Sequence, residues 1–268
     1  MQFGLTEMVF PFDDLSRSIE CVADAGYDGI ELLIDEERLD DHSLIEEAAD
    51  IAAQHDLEIP SIVARAGSGA PLSSLDDTTR QAAIDRGETI IREIATGLLE
   101  VDTVLVVPGG VDASTRYDIA YERSLDAIQT LAAVASDVEI TLGIENVWND
   151  MLYSPLEFAE FVDEANTAGP AQAYFDVGNV RRFGHPEHWI HILGDRIAAI
   201  HVKDFIGDIG NHHGFTYPLQ GDVDWNAVTH ALDTIGYNGW VIPEVTPFRT
   251  APERMPAAVL DDLEAIFE

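Results

Sequence analysis

The feature of this sequence that most restricts its fold is a repeated alternation between two kinds of segment. Short runs rich in Val, Ile and Leu recur along the chain, and each is followed by a stretch whose apolar residues are spaced three and four apart. The first pattern indicates buried strands and the second indicates amphipathic helices. The predicted strands are Gln2–Leu5, Gly29–Leu33, Ile59–Ala64, Thr103–Val107, Thr141–Glu145, Ala171–Asp176, Ile197–Lys203 and Trp240–Glu244.

Helical segments are predicted between these strands, and several carry start or stop signals. Ser154 and Pro155 precede one of them, and Gly236 follows another, as is typical of helix ends. The predicted helices are Leu15–Ala25, Ser43–His55, Asp76–Ala95, Tyr117–Ala135, Pro155–Ala165 and Trp225–Ile235. Most of the strands are apolar throughout rather than alternating, which favours parallel strands covered on both faces.

Eight strand–helix units in 268 residues predict an α/β fold, a (β/α)8 TIM barrel. The alternative is an open doubly wound sheet, but no GxGxxG follows the first strand to support its dinucleotide-binding form. No change of composition and no linker rich in Pro or Ser divides the chain. We therefore expect a single domain over residues 1–268.

The charge balance excludes several classes of partner. Fifty acidic residues face thirteen arginines and one lysine, for a formal net charge of −36. Nucleic acids and anionic membranes bind cationic patches, so neither is an expected partner. The sequence has no basic leader and no apolar run of about 18 residues, so we expect a cytoplasmic protein. The acidity and the near absence of lysine favour a halophilic protein, built for a salt-rich cytoplasm.

Acidic and histidine side chains lie at the ends of four consecutive late strands: Glu145, Asp176, His201 and Glu244. In a barrel the carboxyl ends of the strands converge on the active site, so we expect these side chains to gather. Three carboxylates and an imidazole suit one divalent ion, Mn²⁺ first, with Mg²⁺, Co²⁺ or Zn²⁺ as alternatives. A single acid at a strand end is commonly a helix cap. Four such groups beside a core would be costly without a ligand to hold.

The only lysine of the chain, Lys203, follows His201 by two residues. Residues two apart on a strand share a face, so Lys203 is expected to point into the barrel mouth. There its compact ammonium would neutralise substrate oxyanions or a phosphate, a role for which the planar fork of arginine is no substitute. The alternative is a rim lysine paired with Asp204 or Asp208.

Six short motifs, in this order, resemble the xylose-isomerase-like TIM-barrel superfamily, the sugar phosphate isomerase/epimerase group. They are GYDGIEL (Gly26–Leu32), GIEN (Gly143–Asn146), FDVGN (Phe175–Asn179), HVKD (His201–Asp204), GDVDW (Gly221–Trp225) and IPE (Ile242–Glu244). The resemblance implies that Glu145, Asp176, His201 and Glu244 bind one divalent metal. It also implies that Glu145 and Glu244 double as an acid–base pair, and that the partner is a small-molecule sugar or sugar phosphate.

The motif after the sixth strand is similar to one branch of this group. Many ketose 3-epimerases of the superfamily carry a histidine three residues after the strand-six aspartate, where this chain has Asn179. The combination of DxGN with HVKD is similar instead to the L-xylulose/L-ribulose 5-phosphate 3-epimerase branch. That similarity implies that Asn179 and Lys203 bind substrate, and that the protein is a 3-epimerase of carbohydrate metabolism.

The residue types also indicate a mechanism. Removing a proton next to a carbonyl requires a base and stabilisation of the resulting enediolate, which a divalent ion chelated by the substrate oxygens provides. Two carboxylates on opposite sides, Glu145 and Glu244, could then remove a proton from one face and return one to the other. The alternatives are a dehydratase or hydroxypyruvate-type isomerase of the same fold, a metal- and sugar-binding protein without turnover, and a phosphodiester-cleaving nuclease, which the charge opposes.

Three further residues are candidates for the site. Glu31 ends the second predicted strand and could orient a metal ligand, although a capping role fits equally well. Arg249 follows the eighth strand, near the usual phosphate position of barrels, with a surface salt bridge as the alternative. Trp148 could form an apolar wall over the sugar or simply pack. The oligomeric state is left open, because no interface stripe stands out, although barrels of this kind commonly pair as homo-oligomers.

The charge balance predicts a stability that depends on salt. Since the acidic side chains repel one another and salt screens that repulsion, the melting temperature should rise from dilute buffer to molar KCl. Differential scanning calorimetry across a KCl series measures this rise. A melting temperature that stays constant over the series would contradict the halophilic interpretation.

Overall fold

The computed structural model describes residues 1–12, 14–65, 71–99 and 101–268. Eight parallel strands form a closed barrel in the order β1–β10–β7–β6–β5–β4–β3–β2. Their bounds are β1 Gln2–Thr6, β2 Gly29–Ile34, β3 Ser61–Ala64, β4 Thr103–Val106, β5 Thr141–Glu145, β6 Ala171–Asp176, β7 Ile197–Val202 and β10 Trp240–Pro243. Helices surround these strands, so the predicted (β/α)8 TIM barrel is confirmed.

The helices follow the strands in the chain. They are α1 Leu15–Ala25, α2 Glu36–Leu39, α3 His42–Gln54, α4 Asp77–Thr89, α5 Tyr117–Asp137, α6 Pro155–Asn166, α7 Val177–Arg181, α8 Pro186–Leu193, α9 Trp225–Ile235 and α10 Met255–Phe267. The predicted helix Asp76–Ala95 is α-helical to Thr89 and continues as a π-helical segment, Ile90–Ala95. Among the described residues, no helix has both the length and the apolar character that crossing a bilayer requires.

Acidic and hydroxyl side chains begin several helices. The side chains of Asp14, Ser154 and Asp224 each accept a hydrogen bond from a backbone N–H in the first turn of α1, α6 and α9. Such caps satisfy donors that the helix itself leaves unpaired. At the other end, Gly26 and Gly236 follow α1 and α9 in the left-handed conformation, with φ values of 95° and 72°. The stop signals read from the sequence therefore have a conformational basis.

Three helices, α2, α7 and α10, were not predicted from the sequence, whereas the helix start read at His185 and Pro186 is where α8 begins. Both α8 and α10 carry a proline in the first turn, where the missing N–H costs no helical hydrogen bond. The seventh predicted strand was expected to run through Lys203, but β7 ends at Val202. A short hairpin follows, made of β8 (Asp204–Phe205) and β9 (Phe215–Thr216). It lies within the glycine-rich connection of roughly residues 204–224, which the sequence predicts to be a long loop.

By its contacts the chain divides into two compact units. The first comprises Met1–Leu32, Glu47–Pro60 and Phe175–Glu268, and the second comprises Leu33–Glu46 and Ser61–Tyr174. In the first unit β1 pairs in register with β2 and with β10, and β10 pairs with β7. In the second, β3 pairs with β4, and β4 pairs with β5. The expected single domain over residues 1–268 stays a prediction.

Candidate metal centre

The carboxyl ends of four strands carry the predicted metal ligands. Glu145 and Asp176 are the last residues of β5 and β6, and His201 is the second-last residue of β7. Glu244 directly follows β10, and its backbone N–H donates to the carbonyl of Val202 at 3.1 Å. These strand ends lie at the same edge of the parallel barrel, where side chains from separate parts of the sequence can meet.

The four predicted ligands lie together. One potential ligand atom from each of Glu145, Asp176, His201 and Glu244 lies within 4.8 Å of those of the other three. The first three side chains are buried and Glu244 is partly exposed. Three carboxylates and one imidazole form a donor set that fits a divalent ion of mixed oxygen and nitrogen preference. The cluster could therefore hold a metal ion, while the choice of Mn²⁺ stays a prediction.

A buried carboxylate contacts the histidine of this cluster. Glu31 lies in β2 and His201 lies in β7, and their side chains are 0% and 1% exposed. Nε2 of His201 is 2.9 Å from Oε1 of Glu31. A carboxylate on one ring nitrogen fixes the orientation of the imidazole, so an ion would be held through Nδ1. The predicted role of Glu31 in orienting a ligand is consistent with this contact.

The single lysine joins two of the predicted ligands. Nζ of Lys203 donates to Oδ2 of Asp176 at 2.7 Å and also to Oε2 of Glu244. The same ammonium lies 5.0 Å from the centre of the Phe215 ring, within cation–π range. Lys203 is only 6% exposed. It is therefore a buried partner of the cluster and not the rim lysine of the alternative interpretation.

Burial and the nearby charges oppose each other at the two carboxylates, and the pKa values of Asp176 and Glu244 shift in opposite directions. Burial raises the pKa of Asp176, and the nearby charge of Lys203 only partly opposes this change. Burial also acts to raise the pKa of Glu244, but the charges of Lys203 and His201 outweigh it, and that pKa is lowered. A lowered pKa keeps Glu244 ionised near neutral pH, which is the form that can accept a proton.

A glycine allows the lysine to reach the cluster. Gly178 lies in α7, immediately after β6, and a Cβ atom there would meet Cγ of Lys203 at 2.5 Å and its carbonyl oxygen at 2.7 Å. Asp176 caps the same short helix, because its Oδ1 accepts a hydrogen bond from the backbone N–H of Asn179 at 2.7 Å. The start of α7 is therefore packed directly against the stem of the lysine.

The residue after the lysine, Asp204, anchors the long segment that follows β7 through hydrogen bonds. Asp204 is fully buried and accepts hydrogen bonds from the backbone N–H groups of Phe205 and Val223, at 2.8 and 3.0 Å. Its other oxygen accepts the indole N–H of Trp225 at 2.9 Å. A Cβ atom on Gly221 would lie 2.2 Å from Oδ1 of Asp204. The carboxylate of Asp204 thus holds the two ends of the segment that carries Phe215 close to each other.

The other predicted substrate residues lie in different settings. Asn179 is buried in α7, beside the metal cluster, and Trp148 is partly buried in the segment after β5. Arg249 is exposed in the segment after β10. Their contacts with substrate stay predictions, since nothing in the structure shows what they bind.

Sequence reasoning did not assign roles to Phe215, Gly178 or Asp204. Phe215 lies ten residues beyond Phe205 in a segment that was expected to be a loop, so no strand pattern drew attention to it. Gly178 had a readable signal, because a glycine two residues after a strand-end aspartate can mark a close approach of another chain segment. The distance in sequence between Asp204 and the GDVDW motif gave no signal, because the two meet only where the segment between them folds back.

The chain is similar to known proteins over most of its length. A family model described as "Xylose isomerase-like TIM barrel" matches residues 19–265. The uncharacterized protein MJ1311 of Methanocaldococcus jannaschii is 24% identical over 264 residues, which cover 94% of this chain and 86% of that protein.

Solved structures share the fold over nearly the whole chain. A D-tagatose 3-epimerase-like protein has a TM-score of 0.82 and 22% identity, covering 99% of this chain and 98% of its own. A D-psicose 3-epimerase from Clostridium cellulolyticum H10, solved with D-tagatose, has a TM-score of 0.79 and 18% identity over all of both chains. The IolI protein with a bound zinc atom has a TM-score of 0.85 and 19% identity, covering 100% and 98%. At these identities the similarity establishes the common fold.

The packing of Gly178 against the lysine stem predicts a steric penalty. Gly178→Ala should lower the free energy of unfolding by about 1–3 kcal/mol, because the added methyl group meets Lys203 at less than contact distance. Gly184→Ala is the matched control, since a Cβ atom there has its nearest neighbour at 3.7 Å. Denaturant titrations compare the two variants. Equal effects of the two substitutions would contradict the close packing of Gly178.

The hydrogen bonds of Asp204 predict a local loosening when its charge is removed. Asp204→Asn leaves one acceptor oxygen for three N–H donors, so we expect a loss of roughly 1.5–3 kcal/mol and faster amide exchange at Phe205 and Val223. Asp208→Asn, at an exposed position of the same segment, is the control. Hydrogen–deuterium exchange with mass spectrometry measures the effect. Protection at both amides equal to that of the unchanged protein would refute the role of Asp204.

Proposed function

The chain belongs to the xylose isomerase-like TIM barrel family, and we propose that it is a metal-dependent isomerase or epimerase of a ketose or ketose phosphate. The observation that carries the proposal is the cluster of Glu145, Asp176, His201 and Glu244, which combines a metal-binding donor set with carboxylates able to transfer protons. The names of the structural neighbours support it, since two are 3-epimerases or 3-epimerase-like proteins and a third carries zinc.

The protein side chains supply the proton transfers in this proposal. A divalent ion bound here would act as a Lewis acid toward the carbonyl and the neighbouring hydroxyl of the sugar. Glu244 is suited to be a base, because it is the partly exposed member of the cluster and the Lys203 ammonium holds its carboxylate in place. Glu145 ends a different strand, β5, and is the second group able to hold or release a proton.

The proposed outcome is inversion at the carbon next to the carbonyl, as in a 3-epimerase. If one carboxylate removes a proton from one face of the sugar and the other returns a proton to the opposite face, the stereocentre inverts. A single carboxylate that carried the proton between neighbouring carbons would isomerise the sugar instead. Two carboxylates on different strands favour the first course.

Lys203 has a positioning role in this scheme. Its ammonium contacts Asp176 and Glu244 together, and so fixes the carboxylate of the proposed base relative to that of a metal ligand. Glu31 has the corresponding role for His201, through the contact of 2.9 Å with Nε2. These three contacts help to orient three of the four proposed ligands.

The acid–base pair predicts the behaviour of two conservative variants. Glu145→Gln and Glu244→Gln should each reduce solvent deuterium incorporation next to the carbonyl by at least about 100-fold, because an amide cannot transfer the proton. Proton NMR in D₂O with Mn²⁺ and a panel of ketoses and ketose phosphates measures the exchange.

The controls separate an effect at the cluster from a general effect of charge, and they test whether exchange needs the metal. Glu264→Gln, at an exposed position in α10, removes a comparable charge away from the cluster and should leave the exchange rate unchanged. Chelation of the metal should abolish exchange, and added Mn²⁺ should restore it. Full exchange in either the Glu145 or the Glu244 variant would exclude that residue from the pair. Sugar binding without any exchange would instead indicate a protein that binds sugar without turnover.

A further inference from the structure

A cavity of about 370 Å³ opens beside two residues of the candidate site, Lys203 and Glu244. Its other walls come from the segment after β1, from the β8–β9 hairpin and from the segment after β10. Most of the lining is apolar, with the ring of Phe215 on one side, and the hydroxyl side chains of Thr216 and Thr246 also line it. A cavity of this size next to a proposed base is suited to hold the part of a small substrate that does not react.

The charged groups at this cavity already compensate one another. Lys203 contributes one positive charge, and it contacts the carboxylates of both Asp176 and Glu244. With a divalent ion in the cluster, the two charges of that ion and the one of Lys203 would balance the three carboxylates, so no net positive charge would remain to attract a phosphate dianion. A buried phosphate needs cationic or N–H donors that are directed at its oxygens.

No other cation of the described chain lines this cavity. Arg249, which the sequence placed near a phosphate position, is exposed and does not contribute to the lining. The structure does not describe residues 13, 66–70 and 100, and none of these is Lys, Arg or His. The formal charge of −36 acts in the same direction, because it opposes the approach of any anion.

We propose that this cavity takes the uncharged, hydroxyl-bearing end of a free ketose, and that the protein selects an unphosphorylated sugar over its phosphate ester. This inference rests on the proposed function and narrows its substrate class. The hydroxyls of Thr216 and Thr246 would hydrogen-bond the sugar, and its C–H face would pack on Phe215. Apolar walls with a few placed polar groups are typical of sites for small-molecule ligands.

The test compares matched pairs at one salt concentration. Fructose with fructose 6-phosphate, ribulose with ribulose 5-phosphate and xylulose with xylulose 5-phosphate are offered to the Mn²⁺-loaded protein in 1 M KCl. Saturation-transfer NMR measures binding, and hydrogen exchange in D₂O measures turnover. We expect at least one free ketose to bind and to exchange at least tenfold better than its phosphate.

A charge variant tests the position of the uncharged end. Thr246→Arg places a cation on the cavity wall and should improve phosphate binding at least tenfold relative to the free sugar. Thr246 is exposed, and its carbonyl, which accepts the Tyr217 hydroxyl, is unchanged by the substitution. Thr250→Arg adds the same charge at an exposed position outside the lining and should leave the preference unaltered.

The outcomes distinguish the two proposals. A preference of the unchanged protein for a phosphate ester overturns this inference and leaves the proposed function standing; Arg65→Gln and Arg249→Gln would then locate the responsible cation. If the protein discriminates against phosphates and Thr246→Arg does not reduce that discrimination, the assignment to this cavity is overturned. If no member of the pairs binds or exchanges, the proposed function is overturned, and this inference with it.

Discussion

The compensation of buried charge is the constraint on which the candidate site depends. Lys203, Asp176 and Glu244 are ionisable groups packed at the barrel mouth, and none of them could be buried in charged form without a partner. One ammonium shared by two carboxylates meets part of this requirement, and a divalent ion bound by the cluster would meet the rest. The geometry of the site follows from that electrostatic balance.

The neighbouring elements are fitted around the same lysine. Gly178 lets α7 pack on its stem, and the Phe215 ring covers its head at 5.0 Å. The adjacent Asp204 is buried and accepts hydrogen bonds from the backbone N–H groups of Phe205 and Val223 and from the indole of Trp225. Lys203 therefore contacts the cluster, and Asp204 contacts the segment that follows. Solvent exposure of Lys203 would break its ion pairs, and solvent exposure of Asp204 would free the segment that forms the cavity wall.

Much of the barrel could be predicted from the sequence, because parallel strands covered on both faces are apolar throughout and their helices keep one apolar stripe. The limits of α1 and α9 agree with the prediction at both ends, and so do those of β5 and β6. Short elements were missed for a physical reason. Helices α2 and α7 have five residues or fewer, and the β8–β9 hairpin pairs only two residues a strand. These elements are too short to show the spacing of apolar residues that marks a helix or a strand.

The fold class and the four residues at the strand ends could be read from the sequence, since a repeated local pattern and the geometry of parallel strands suffice for both. The sequence did not show that Lys203 lies between Asp176 and Glu244, that Glu31 contacts His201, or that Asp204 holds the segment carrying Phe215. Those contacts join residues far apart in the chain. They are visible only in the folded barrel, because the pairing of buried charges depends on which side chains the closed barrel brings within reach.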